Sequence, residues 1–202
     1  ATSATSGVVF GWKRIDTSGI APTAIVPFTP MDTISEILTN SNTFITRARY
    51  VISLTFGGCT RFDTVFVNVN PRPKFNPTPT LKNICNNSVY ADTMKSLTAG
   101  TSYSWTRILP SGVTCTGNAS DTNRIISQTF NNANTEPQTV IYPTVLTANG
   151  CSNLDTFRVR VNPTLILSSA KLLTPICSGD TVKTTLTSST NNVTFNWTRP
   201  IV

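Results

Sequence analysis

Asn149-Gly150-Cys151-Ser152-Asn153-Leu154-Asp155-Thr156-Phe157-Arg158-Val159-Arg160-Val161-Asn162-Pro163 is the stretch that decides how this chain folds. Asn-Gly is a strong hairpin signal, because the favoured two-residue turn needs φ > 0 at both central positions. Behind it, Phe157, Val159 and Val161 alternate with polar neighbours, the period of a strand with one apolar face. Proline then closes the strand, since it cannot donate to a ladder. The same landmarks stand 92 residues earlier as Gly58-Cys59, Asp63-Thr64, Val67, Val69, Asn70 and Pro71.

The self-similarity spreads outward from there. The offset of 92 carries Tyr50 onto Tyr142, Leu54 onto Leu146, Ile84-Cys85 onto Ile176-Cys177 and Trp105-Thr106-Arg107 onto Trp197-Thr198-Arg199. Trp12-Lys13-Arg14 precedes Trp105 by 93, so one residue was gained or lost between them. A fixed period of this size marks a repeat architecture. One complete unit is expected at 72–163, with the later part of another at 1–71 and the opening of a third at 164–202. On this reading the chain is a piece of a longer array. The junction Pro71-Arg72-Pro73-Lys74-Phe75-Asn76-Pro77-Thr78-Pro79 predicts a short semi-rigid linker, part of which can serve as an edge strand.

Within the complete unit, Tyr103, Trp105 and Arg107 alternate with Ser104 and Thr106 as a strand. Arg124 to Phe130, Thr139 to Leu146 and Thr156 to Val161 are further strands, and Val89 to Leu97 pairs early in the sheet. No stretch has a useful helical period, although 32–38 could form a single turn. Short strands separated by turns predict an all-β chain built as antiparallel sandwiches, and some 92 residues is the size of one immunoglobulin-like domain. Trp12, Trp105 and Trp197 are expected to fill the cores. Arg107 is expected to pack its stem and bond backbone carbonyls.

Composition agrees. Charged residues are 12% and hydrophobic residues 39%, the charged share being about half the usual value. Thr, which favours strands, and Ser and Asn, which favour turns, fill the difference. The net charge is +7, but the 16 Lys and Arg form no cluster, so nucleic acid is not an expected partner. There is no histidine, which removes the commonest general base and metal ligand. The 9 acidic residues are scattered, with no glycosidase pair or calcium loop. The chain is therefore not expected to be an enzyme, and no cofactor or metal is expected. No apolar run reaches the roughly 18 residues of a membrane helix.

Five cysteines stand at Cys59, Cys85, Cys115, Cys151 and Cys177. Two recur per repeat, Cys85 and Cys177 early, Cys59 and Cys151 late. A bond inside each unit is the simple expectation, here Cys85 with Cys151, and the partners of Cys59 and Cys177 then fall outside the chain. Closing a loop of that length stabilises by about 4 kcal/mol in the chain-entropy account. Such pairing implies an extracellular compartment. Cys115 has no counterpart and reads as a small buried hydrophobe or a free thiol.

Ile84-Cys85, Trp105-Thr106-Arg107, Asn149-Gly150-Cys151 and Val159-Arg160-Val161-Asn162-Pro163 resemble the PKD-like repeats of Bacteroidetes surface proteins, and Ile176-Cys177-Ser178-Gly179-Asp180 followed by Trp197-Thr198-Arg199 resembles them more closely. Such repeats occur in large adhesins of the gliding-motility type exported by type IX secretion. The resemblance implies tandem immunoglobulin-like or PKD-like sandwiches in an extracellular, cell-surface adhesin or stalk. Its partners would be neighbouring repeats and surface glycans or proteins. The first unit departs from it with Trp12-Lys13-Arg14, and Cys115 is extra. Asp32-Thr33-Ile34, Asp63-Thr64-Val65, Asp92-Thr93-Met94 and Asp180-Thr181-Val182 resemble a Bacteroidetes O-glycosylation rule, which makes Thr33, Thr64, Thr93 and Thr181 candidate sites; turn chemistry is the plainer explanation. Two alternatives remain. One is an accessory carbohydrate- or protein-binding module of a secreted enzyme, with Tyr90 as an exposed aromatic. The other is a subunit of an extracellular filament whose edge strand comes from a neighbouring chain.

Overall fold

A computed structural model describes residues 2–15, 18–23, 28–169 and 175–199. These residues form thirteen strands and no helix, so the single turn expected at 32–38 is not helical. In chain order the strands are β1 (Val9–Ile15), β2 (Ile20–Ala21), β3 (Thr39–Asn40), β4 (Thr46–Phe56), β5 (Cys59–Val69), β6 (Lys82–Ile84), β7 (Val89–Thr93), β8 (Ser102–Thr106), β9 (Val113–Cys115), β10 (Ser120–Asp121), β11 (Ile125–Asn132), β12 (Gln138–Ala148) and β13 (Cys151–Val161).

The chain divides into two compact units. The first takes Ala1–Thr78, Met94–Tyr103 and Val145–Asp155, the second Pro79–Thr93, Ser104–Thr144 and Thr156–Val202. The division runs through β8, β12 and β13.

The complete sandwich pairs two sheets. One has the order β10-β8-β12-β13-β6 and the other β7-β11-β9. The alternation read in the sequence produces it. β12 buries Val140, Tyr142, Thr144, Leu146 and Ala148, and β13 buries Phe157, Val159 and Val161. From the facing sheet come Tyr90, Ile126, Gln128 and Phe130. Tyr142 stacks on Phe157 at 4.4 Å and 9°, and Trp105 meets Tyr142 edge-on at 5.7 Å. Asn149 and Gly150 both have positive φ, as the primed hairpin turn requires. β6 joins the far edge of β13 in parallel, Lys82 opposite Val159 and Ile84 opposite Val161. The described residues are thus all-β, built as antiparallel β-sandwich layers.

The first repeat, residues 1–71, has a counterpart of the larger sheet in β1-β4-β5, with Phe10 opposite Leu54 and Tyr50 opposite Val65. Its second layer is only the short pair β2-β3. Residues 33–38, the counterparts of β11, are not in a ladder. After β13, the described residues of 164–199 carry no named strand, but one isolated bridge joins Leu167 to Ser188. It is the image, 92 residues on, of the bridge between Phe75 and Ser96.

Candidate functional site

Trp12 and Trp105 occupy matching places, each the fourth residue of its strand, β1 and β8. Trp105 is 3% exposed and its indole N–H donates to the carbonyl of Asn123 at 2.9 Å. Trp12 is half-buried, donates to the carbonyl of Thr33 at 3.2 Å and meets Tyr50 edge-on at 5.8 Å. Trp197 departs from the expectation, being 78% exposed. Its counterparts face a finished pair of strands, whereas nothing among the described residues closes over Trp197. Tyr90 was expected on the surface, and it is 5% exposed beside the stacked Tyr142 and Phe157 rings.

The side chains that hold each sandwich polar and rigid are asparagines that the sequence reading passed over. Buried Asn132 donates from its amide to the carbonyls of Glu136 and Val161, both at 2.9 Å. Its amide oxygen accepts from the backbone and side-chain N–H of Asn134, both at 3.0 Å. Asn134 in turn donates to the carbonyl of Ser111 at 3.0 Å. The first unit copies this. Asn40 donates to the carbonyls of Phe44 and Val69 at 2.8 and 2.7 Å, and Asn42 donates to the carbonyl of Ser18 at 2.9 Å. Gly112, at φ +76°, makes room for Asn134; a Cβ there would lie 2.6 Å from its amide. The repeated Asn-x-Asn at the offset of 92 was the available signal.

A second network sits between the sheets. Tyr142 donates its hydroxyl to Gln128 at 2.6 Å, and Gln128 donates to the carbonyl of Asn118 at 2.8 Å. In the first unit the same position is Glu36, which accepts from the Tyr50 hydroxyl at 2.6 Å and pairs with the buried Arg14 at 3.1 Å. Arg14 also donates to the carbonyl of Pro22. Burial, and after it the hydrogen bond to Glu36, pushes the Tyr50 hydroxyl up to about 12. Burial likewise raises Tyr90 and Tyr142. Arg107 reaches the carbonyls of Thr116 and Asn118 at 3.4 and 3.0 Å. Most of these groups bond within the sandwich, whereas the Nε of Arg107 is buried without a hydrogen-bond partner.

The cysteines require a correction. All five are free thiols, so the Cys85–Cys151 bond is not formed. Cys151 opens β13, while the register of β6 sets Cys85 just beyond Val161, at the other end of that strand. Ten residues at about 3.3 Å each put roughly 33 Å between them, where a disulfide needs Cα atoms within about 7 Å. Cys115 is half-buried, donates to the carbonyl of Thr116 at 3.1 Å, and burial raises its pKa. Among the described residues no group of three or more His, Cys, Asp or Glu is placed to hold a metal.

Of the candidate glycosylation positions, Thr33, Thr64 and Thr181 are exposed and Thr93 is half-buried. The Thr64 and Thr93 backbone N–H groups each bond the preceding aspartate at 2.7 Å. These are local bonds inside β5 and at the end of β7 rather than in turns.

Among the described residues the inner face of β5 is less covered than its counterpart in β13. Val65 and Val67 are 44% and 41% exposed, whereas their counterparts Phe157 and Val159 are 7% and 0%. Beside it in the first unit lies a cleft of about 970 Å³ whose walls include Glu36, Asn40, Asn70, Arg72, Lys74 and Cys151. Asn70 donates to the carbonyl of Asn149 at 2.7 Å, two residues before Cys151.

Residues 82–165 match the model of a family described as a PKD-like domain. Among solved structures the chain is similar to DIP-gamma IG1+IG2, at 11% identity over 78% of this chain and 84% of that one, with a TM-score of 0.36. It is also similar to mouse clustered PcdhgC3 EC1-3, at 8% identity over 72% and 54%, with a TM-score of 0.35. A third is the Drosophila OTK extracellular domains 3-5, at 15% identity over 90% and 63%, with a TM-score of 0.31. No curated protein matches the chain.

Proposed function

We propose that this chain, with a PKD-like sandwich matched over residues 82–165, is a structural segment of a large secreted adhesin or stalk at the cell surface, serving surface adhesion or gliding motility. The observation that supports this most is the recurrence of one polar core at a spacing of 92 residues: Asn40, Asn42 and Tyr50 in the first unit, Asn132, Asn134 and Tyr142 in the complete sandwich. Repeats that preserve their internal bonds while their surfaces diverge serve as beads that carry and space a binding surface. Neighbouring repeats are the first partners of each bead, and surface glycans or proteins are the ligands of the whole. In a Bacteroidetes host, the exposed Thr33, Thr64 and Thr181 are candidate positions for O-glycosylation.

An antibody raised against the chain tests this on intact cells of the source organism. Labelling without permeabilisation, removed by brief external protease, is the expected result, together with weaker attachment or spreading of cells lacking the gene. Labelling only after permeabilisation overturns the reading. The intact mass of the native protein tests the glycan: an excess that falls on Thr64→Ala supports it, and an unmodified mass ends it.

A further inference from the structure

We propose that the outward face of β1-β4-β5 binds an acidic polysaccharide, with Phe28, Phe62 and Phe66 as stacking platforms and Lys13, Arg47 and Arg49 as partners for its carboxylate or sulfate groups. Side chains alternate across a strand, so the positions between the inward Ala48, Tyr50 and Val65 form the opposite face. There Phe62 and Phe66 are 59% and 53% exposed. Four residues apart on β5, they stand about 13 Å from each other. Arg49 is opposite Phe66, and Ser53 is opposite Phe62. Gly11, opposite Ser53, has no side chain to fill the space above β1. Phe28 lies there instead: a Cβ on Gly11 would be 3.8 Å from the Phe28 Cβ, and the Phe28 ring is 5.7 Å from that of Phe62. The rings lie on an open sheet face rather than in a pocket, which suits a chain molecule over a single small sugar.

The face carries charge of one sign. The guanidinium of Arg47 lies over the Phe66 ring at 5.3 Å, and the ammonium of Lys13 lies over the Phe28 ring at 4.8 Å. Arg47 also donates to the Asn68 side chain at 3.3 Å. None of the outward positions of the three strands is acidic. The face of an aromatic ring is its negative pole, and it attracts a cation or the polarised C–H groups of a sugar. Arg adds a planar fork of N–H donors that fits an oxyanion. Rings and cations side by side therefore match a polymer that joins apolar sugar faces to anionic groups. A neutral glycan would leave the cations unused, and an acidic peptide supplies charge without flat C–H faces.

The openness of this face does not depend on where the chain starts. In the complete sandwich, which residues 1–71 precede, the counterparts Leu154 and Arg158 are exposed too. What differs is the chemistry. Ser120 stands in the place of Phe28, Leu154 of Phe62, Arg158 of Phe66, Thr139 of Arg47 and Ile141 of Arg49. The complete repeat thus keeps the sheet and lacks the set of rings. Thr64 shares the outward face of β5 with Phe62 and Phe66, so a glycan on Thr64 would exclude the ligand. The choice of a polysaccharide rests on the cell-surface reading; the composition of the face does not.

The test measures binding of the full chain, made in a host that does not glycosylate it, to immobilised polyuronate, dextran sulfate and uncharged dextran by biolayer interferometry. At least one acidic polymer should bind at least tenfold more tightly than dextran, and which one does so identifies carboxylate or sulfate as the group held. Phe62→Ala with Phe66→Ala, and separately Arg47→Gln with Arg49→Gln, should each weaken that binding at least tenfold with an unchanged circular dichroism spectrum. Should the alanine pair lose its fold, Phe62→Leu, which installs the side chain the complete repeat carries at this place, should still weaken binding. Arg158→Gln with Arg160→Gln removes the same charge from the complete repeat and should change affinity less than twofold. No binding to either acidic polymer overturns the proposal. So does an equal loss from the two arginine pairs, which makes net charge the cause, or full affinity without the rings. Single-stranded DNA held as tightly as the polysaccharide overturns the ligand class. None of these results decides whether the chain is displayed on the cell, which the antibody labelling settles on its own.

Discussion

The buried amide of Asn132 donates to the carbonyl of Val161 across 2.9 Å, tying the end of β11 to the last strand of the complete sandwich. The same amide also holds Glu136. Replacing Asn132 with alanine leaves two carbonyls without their donor, at a cost of about 3 kcal/mol. Urea denaturation followed by tryptophan fluorescence should show that loss, with Ser104→Ala, on the exposed face of β8, changing stability by less than about 0.5 kcal/mol. Equal midpoints for the two variants would remove the structural role given to Asn132.

Gly112 should tolerate no side chain. Its φ of +76° already disfavours an L-residue, and a Cβ would meet the Asn134 amide at 2.6 Å. Gly112→Ala is expected to destabilise by about 2 kcal/mol. Gly150 also has positive φ, but nothing lies near its Cβ position, so Gly150→Ala should cost less, about 1 kcal/mol. The ordering of the two thermal midpoints is the test.

Alkaline pH should unfold the sandwiches through their tyrosines. A free tyrosine ionises near pH 10, while burial and Glu36 hold the Tyr50 hydroxyl protonated up to about 12. Burial shifts Tyr90 and Tyr142 in the same direction. The unfolded chain therefore loses these protons first. The stability they contribute is fully present below pH 10 and is lost as pH rises towards 12. Absorbance at 295 nm and far-ultraviolet circular dichroism should change together above pH 10. A tyrosine titration that finishes near pH 10 with the sheet signal intact would contradict the burial of these rings.

Reducing agent should not weaken the isolated chain. A Cys85–Cys151 bond would contribute about 4 kcal/mol, and the placement of the two thiols at opposite ends of β13 forbids it. Equal denaturation midpoints with and without dithiothreitol are expected. At neutral pH iodoacetamide should reach the exposed Cys59, Cys85 and Cys177 well before Cys115, whose thiol is half-buried and shifted upwards by burial. A peptide linking Cys85 to Cys151 in a non-reducing digest would overturn the strand register.

The strands were legible because period two and turn chemistry are local. Phe157, Val159 and Val161 announce a buried face without knowledge of what covers them, and Asn149-Gly150 fixes the hairpin. What covers a face is not local. Trp197 carries the same motif as Trp105, yet it is exposed because the strands that would enclose it are not at hand. Tyr90 escaped notice as a core residue because Val89-Tyr90-Ala91 has no alternation to place it. The cysteine spacing repeated faithfully, but spacing along a chain does not say which end of a strand each thiol occupies. The asparagines were recoverable: Asn-x-Asn recurs at the offset of 92 that also carries Tyr50 onto Tyr142, but composition alone assigns asparagine to turns, and only the fold shows Asn132 inside.

The parallel pairing of β6 with β13 has a mechanical meaning. The strand that enters the complete sandwich and the strand that leaves it lie side by side and point the same way. Tension on the two chain ends therefore slides one along the other, and the rungs between Lys82–Ile84 and Val159–Val161 are strained all at once instead of parting in turn. A tether built this way yields abruptly, in a single step on an optical-trap trace; gradual lengthening under load would show that the force runs through some other part of the molecule.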